Sequence, residues 1–164
     1  TFIFSEKLAT FGRWQRQLYG ESLGKQGLGI IPLYSIGTTD LHSMTQLYLD
    51  GPKLFFTNFI EIEEFKNQKV SDPYQILSGT SMQSISGKSH SELLHIIGDA
   101  VKTAYHKQEL PFSETLLPKL DEYHLGQLLQ MTMLTVVFLS KLLNVNPFNQ
   151  DAVELYKSEI RKLL

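Results

Sequence analysis

Short apolar runs alternate with longer segments of helical period along most of this chain, and that alternation restricts the fold more than any other feature. The apolar runs fall at 30–36 (Ile30-Ile31-Pro32-Leu33-Tyr34-Ser35-Ile36), 53–62 and 110–117, the last closed by Pro118. Runs of this length rich in Ile, Phe and Leu read as buried strands. Between them lie amphipathic stretches. Residues 5–20 place Leu8, Phe11, Trp14 and Leu18 at spacings of three and four, with Ser5 as N-cap and Gly20 as the break before a glycine-rich loop at 20–29. Thr38-Thr39-Asp40 offers caps for a helix whose Leu41, Met44 and Tyr48 share a face, stopped by Gly51-Pro52. A further helix is expected over 90–106 through Leu93, Leu94, Ile97, Val101 and Tyr105. Strands that alternate with helices need crossover connections and line up in parallel, so the expected fold class is α/β with a mainly parallel sheet.

The remaining segments fit that frame. Residues 63–89 are polar and serine-rich with little period, and read as an irregular excursion. Residues 122–143 are apolar almost all round, from Leu125 to Leu143, but Gln127, Gln130, Lys141 and several hydroxyl residues interrupt the run. A core or interface helix accounts for it better than a membrane span. Asn149 is placed to cap a last helix bearing Val153, Tyr156, Ile160 and Leu163.

With 164 residues, 42% of them hydrophobic and 20% charged, the chain has the composition of one soluble domain. A net charge of −2 and the lack of any basic tract argue against nucleic acid or an anionic membrane as partner. Without cysteine there is no disulfide framework or thiolate metal site, which suits the cytoplasm. The start at Thr1, with no methionine and no signal-peptide pattern, suggests a piece of a longer chain.

Most local motifs lead nowhere. Gly87-Lys88-Ser89 ends like a phosphate loop, but Met82 stands where that motif opens on glycine. His90 and His95 are five apart, off a common helical face, so no metal site is expected. His106 and His124 carry no motif, and Met131 and Met133 belong to an apolar stripe.

Two segments are more specific. One is Gln17-Leu18-Tyr19-Gly20-Glu21-Ser22-Leu23-Gly24-Lys25, followed after a strand by Thr38-Thr39-Asp40-Leu41-His42-Ser43. The other is Asn146-Pro147-Phe148-Asn149-Gln150-Asp151-Ala152-Val153-Glu154-Leu155-Tyr156-Lys157. Together and in this order they resemble the glucose-6-phosphate isomerase family, in its C-terminal sugar-isomerase (SIS) domain. One departure is Ala152, where the signature usually has glycine; the backbone should tolerate it.

The resemblance implies a three-layer αβα, flavodoxin-like domain over residues 1–164, with the family's N-terminal SIS domain absent from the chain. It implies interconversion of glucose 6-phosphate and fructose 6-phosphate in glycolysis and gluconeogenesis, through a cis-enediol(ate), with no cofactor and no metal. Glu21 takes the position of the base that moves a proton between C2 and C1. His42 takes that of the ring-opening histidine, which in family dimers comes from the neighbouring subunit, and Lys157 that of the lysine that assists ring opening. Gln17 and Gln150 match glutamines that line the substrate site. The expected partners are the phosphosugar, the N-terminal domain and a second copy in a cytoplasmic homodimer.

The chemistry suits the residue types. One carboxylate can take a proton from one carbon and return it to the next. A histidine in the first turn of a helix would be kept neutral by the helix dipole. Each of these residues also has a plain reading: Glu21 as a solvated loop residue, His42 as a surface histidine, and Lys157 as the partner of Glu154 in a helical i, i+3 pair. The phosphate anchor and the enediolate-stabilising arginine of the family belong to its absent domain. A free-standing, non-catalytic sugar-phosphate-binding or interaction domain is therefore the alternative reading.

Overall fold

The computed structural model describes residues 1–64, 69–71 and 75–164. Four strands form one all-parallel sheet in the order β2-β1-β3-β4: β1 Phe2–Ile3, β2 Ser35–Ile36, β3 Thr57–Glu64 and β4 Phe112–Lys119. The α/β class with a parallel sheet is thus as expected. The helices are α1 (Ala9–Leu23), α2 (Thr45–Asp50), α3 (His90–Lys107), α4 (Glu122–Leu142) and α5 (Val153–Leu163).

Two compact units divide the chain: Thr1–Gly12 with Tyr34–Leu125, and Arg13–Leu33 with Gly126–Leu164. The first holds the sheet. Its core is aromatic, with Phe2, Phe4, Tyr48, Phe59, Val101, Tyr105 and Leu110 buried together. Phe59 is its hub, with ring centroids 5.1 Å from Tyr105 and 5.3 Å from Phe112, both edge-on. Edge-to-face pairs of this kind add to the area that they bury. Two buried hydroxyl pairs keep polar groups satisfied inside: Ser35 Oγ with Tyr48 Oη at 2.8 Å, and Thr57 Oγ1 with Tyr105 Oη at 3.2 Å.

The sheet departs from the sequence expectations in four places. Its central strand β1 lies in Thr1-Phe2-Ile3-Phe4, which is too short to show a period; Phe2 and Ile3 are fully buried and pair with both β2 and β3. The apolar run at 30–36 is not a buried strand. Only Ser35 and Ile36 pair, and Ile31 is 86% exposed. Pro118 does not close β4, because pairing continues to Lys119 against Glu64. Among the described residues β4 has a neighbour on one side only, and a proline is tolerated on such an edge strand. The strand expected at 53–62 starts later, at Thr57, and runs on to Glu64.

Helix α3 opens on a capping box: Glu92 N–H donates to Ser89 Oγ at 3.1 Å, and Ser89 N–H to Glu92 Oε2 at 2.6 Å. The Gly87-Lys88-Ser89 motif is therefore a helix start. In the excursion at 63–89, a turn at Gln83–Ile85 and a bridge between Lys69 and Ser89 are the regular features among the described residues. The parts of it at 65–68 and 72–74 lie outside them.

The second unit is helical. Along α4 the buried positions are Leu128, Thr132, Val136 and Ser140, one residue per turn. Thr132 Oγ1 donates to Leu128 O and Ser140 Oγ to Val137 O, so the two buried hydroxyls are satisfied within the helix. Much of the rest of the apolar run is exposed, including Met131, Leu134, Phe138 and Leu142, while Leu125, Leu129 and Leu139 are half-buried. α4 is long and apolar enough to cross a membrane by length and composition.

Candidate active site

Glu21 does not stand in a loop. Gly20 fails to break α1, which runs on to Leu23, and the carboxylate projects from the last turn of the helix. That turn places it one step above Gln17, whose Nε2 donates to Glu21 Oε1 at 2.9 Å. Both side chains are exposed. The i, i+4 spacing makes this a local bond, formed wherever the helix forms. The base candidate and one of the two glutamine candidates are thus brought together.

Beyond Leu23 the chain turns back at once. Lys25 and Leu28 pair through both backbone bonds, at 3.0 and 2.8 Å, across Gln26 and Gly27. Those two residues have φ of 56° and 76°, the left-handed pair of a two-residue hairpin turn. Lys25 Nζ donates to Ser22 O at 3.2 Å and to Asn146 O at 2.6 Å.

Gln150 lies in the turn before α5 and is exposed; its carbonyl accepts from Val153 N–H at 3.0 Å. Asn149 does not cap the helix. Its Nδ2 donates to Asp151 Oδ2 at 2.8 Å, and Ala152 takes the N-cap position without a side-chain bond. Ala152 has φ −64° and ψ −27°, ordinary right-handed backbone, so no glycine is required there. Lys157, one turn into α5, donates to Glu154 Oε1 at 2.9 Å, and Arg161 Nη2 approaches Glu154 Oε2 at 3.3 Å. The hydrogen bond with Glu154 raises the lysine's pKa above its ordinary value and lowers the glutamate's.

His42 belongs to the first unit, on the segment that leaves the carboxyl end of β2. It is not in the first turn of a helix. A 3-10 turn covers Thr39–Leu41, and α2 begins only at Thr45, so the helix-dipole argument for a neutral imidazole has no geometric basis. Nor do Thr38, Thr39 and Asp40 cap α2. Asp40 instead ties the segment back on itself: Oδ2 accepts from Ile36 N–H at 2.7 Å and Oδ1 from Ser43 Oγ at 3.0 Å. Gly37 is required by close approach, since a Cβ there would lie 2.7 Å from the Phe4 ring. His42 is exposed at the top of this tied segment.

Sequence reasoning passed over Lys25 and Lys102, and read Asp40 only as a helix cap. Lys25 stood inside the quoted motif but had no role in it. Lys102, on α3, ion-pairs with Glu61 and Glu114 at 2.9 Å each and with Asp99 at 3.1 Å. The buried Glu61 of β3 lies among apolar neighbours in sequence, and nothing local indicates its partner.

A parallel sheet in the order 2-1-3-4 reverses its winding between β1 and β3, and in such sheets ligands bind beyond the carboxyl ends of the strands. The parallel sheet flanked by helices defines a protein of the α/β class; the first unit carries a polar segment with an exposed histidine after β2, and the second a helix-borne carboxylate with a glutamine partner. Comparison with known proteins gives the family. Residues 2–164 match the phosphoglucose isomerase family. The glucose-6-phosphate isomerase of Aster yellows witches'-broom phytoplasma is 31% identical over 161 residues, covering 98% of this chain and 38% of the relative. That of Methanocaldococcus jannaschii is 35% identical over 162 residues, covering 92% and 36%. Among solved structures, a hypothetical protein of Thermus thermophilus aligns with a TM-score of 0.91 at 29% identity, over 98% of this chain and 40% of that one. A glucose-6-phosphate isomerase of Chlamydia trachomatis aligns with a TM-score of 0.81 at 20% identity, a likeness of fold. This chain belongs to the phosphoglucose isomerase family, and it spans less than two fifths of the length of these curated relatives.

Proposed function

We propose that the chain is the C-terminal sugar-isomerase part of an aldose–ketose isomerase that interconverts glucose 6-phosphate and fructose 6-phosphate. The observation that carries this reading is the Gln17–Glu21 hydrogen bond at 2.9 Å, which points one carboxylate oxygen in a defined direction and leaves the other open. Glu21 removes the C2 proton of the open-chain aldose and returns it to C1, through a cis-enediol(ate). A carboxylate suits the task because its conjugate acid can deliver the proton to the neighbouring carbon. His42 and Lys157 assist ring opening. Lys157 stays protonated beside Glu154, as a donor to a sugar oxygen requires. Gln150 lines the substrate.

Positioning of the phosphate and stabilisation of the enediolate are the task of the N-terminal domain, and these two effects supply much of the rate. The test is reconstitution. The chain is mixed with a separately produced N-terminal half of a family member, and glucose 6-phosphate formed from fructose 6-phosphate is followed. Activity is expected, and Glu21→Gln abolishes it. Activity that survives this substitution removes the base assignment. Phosphosugar binding without interconversion supports the non-catalytic alternative.

A further inference from the structure

Lys25 has no part in the chemistry above, yet it joins two segments that do. Its Nζ bridges Ser22 O, next to Glu21, and Asn146 O, four residues before Gln150. The two bonded residues Lys25 and Asn146 are 121 positions apart in the chain and belong to the same compact unit.

The lysine is held firmly. Its backbone closes the hairpin turn with Leu28, and that turn lies tight against the end of α1. A Cβ on Gly24 would come 2.9 Å from Gly20 O, and one on Gly29 (φ 144°) would come 3.0 Å from Gly24 Cα and 3.2 Å from Leu23 O. Only glycine permits this approach. The last carbonyls of α1 carry the negative end of the helix dipole, which favours an ammonium there. At the other end the loop is tied internally: Phe148 N–H donates to Asn146 Oδ1 at 2.9 Å, and Asn149 Nδ2 to Asp151 Oδ2 at 2.8 Å. An ammonium with three donors can serve two carbonyls at once, and its bonds are charge-assisted, as the 2.6 Å distance to Asn146 O reflects.

We propose that Lys25 is a positioning residue, a strut that fixes the Glu21 end of α1 relative to the loop leading to Gln150. This rests on the reading of Glu21 and Gln150 given above. A reacting group displaced by about 1 Å can lose about a hundredfold in rate, so a strut between a base and a substrate-lining residue acts on turnover more than on binding.

The test compares Lys25→Met and Lys25→Arg with the wild type in two measurements. One is kcat and KM for fructose 6-phosphate in the reconstituted mixture. The other is amide hydrogen exchange of the 164-residue chain by itself, with the β3 amides as control for intact folding. Lys25→Met is expected to lower kcat about tenfold with KM changed less than about threefold. It should also speed exchange in both 20–29 and 146–150 while β3 stays protected, and Lys25→Arg should restore most of both. Unchanged exchange in 146–150 overturns the strut, as does faster exchange with unaltered kcat. If the wild-type mixture has no activity, the functional reading fails separately. Exchange then decides the strut alone: faster in both segments supports it, and unchanged overturns it.

Discussion

Gly98 of α3 stands directly over Glu61 of β3: a Cβ built on Gly98 would lie 2.9 Å from Glu61 Oε1. A bare helix position thus makes room for a buried carboxylate in a central strand, and Lys102, one turn further along the same helix, neutralises it at 2.9 Å. Helix and strand are joined by charge as well as by apolar packing.

Gly98→Ala should therefore destabilise the chain, against the usual trend for helix interiors. Alanine gains about 1 kcal/mol in helix propensity, but overpacking a fixed group costs about 1–3 kcal/mol. Glu61 cannot simply swing away, since it is buried and paired with Lys102. The expected outcome is a lower urea midpoint with an unchanged m-value.

Lys102→Met should cost more, on the order of 3–5 kcal/mol, because it leaves the Glu61 carboxylate buried without its cation. The pH dependence follows from the lysine. Burial alone would lower its pKa, but hydrogen bonds to Glu114, Glu61 and Asp99 outweigh that and raise it above the ordinary 10.5. A raised folded-state pKa gives stability that is fully present below about pH 10.5 and lost as pH rises through the higher folded value. The gap in urea midpoint between wild type and Lys102→Met should stay constant from neutrality to about pH 10 and narrow only beyond it.

Asp121 supplies an acid-side counterpart at the start of α4. His124 N–H and His124 Nδ1 bond its Oδ1 at 2.9 and 2.6 Å, and Lys119 lies 3.2 Å from Oδ2. The bond from the His124 backbone is the largest cause that lowers its pKa from 3.8 to about 2. A depressed folded-state pKa gives stability that is present above pH 3.8 and lost as pH falls toward 2. Asp121→Asn keeps the capping geometry but not the charge. Its stability should lie below wild type above pH 4, with the gap closing between about pH 4 and 2 in acid-denaturation curves.

Gln17→Ala separates orientation from folding. Alanine is the better helix former and the lost pair is worth less than about 0.5 kcal/mol, so the melting temperature should scarcely move. On the proposed reading of Glu21 as base, the reconstituted mixture with Gln17→Ala should turn over fructose 6-phosphate about tenfold more slowly, an increase of about 1.4 kcal/mol in the barrier. An unaltered kcat would show that the bond in α1 does not orient the base.

The sequence by itself determined the features that depend on neighbours along the chain. The periods of α1 and α3 were legible because a helix repeats its buried face every three or four residues, whereas α4 read as a helix from its long apolar run and only the structure shows which face is buried. The pair Gln17 and Glu21 needs only α1 to exist, and the two motifs at opposite ends of the chain sufficed for the family. Contacts between distant segments were not legible. The run at 30–36 is apolar but largely unpaired, whereas Phe2 and Ile3, two residues with no period, occupy the centre of the sheet because strands lie on both sides of them. Asp40 reads as a cap and bonds backward to Ile36 instead, since α2 starts too late to receive it. Glu21 itself illustrates both sides. Its identity and its glutamine partner follow from local sequence. Its place in the last turn of α1 was hidden by Gly20, which reads as a break but lies inside the helix, and the Lys25 bridge from that turn to Asn146 exists only once segments more than a hundred residues apart have come together.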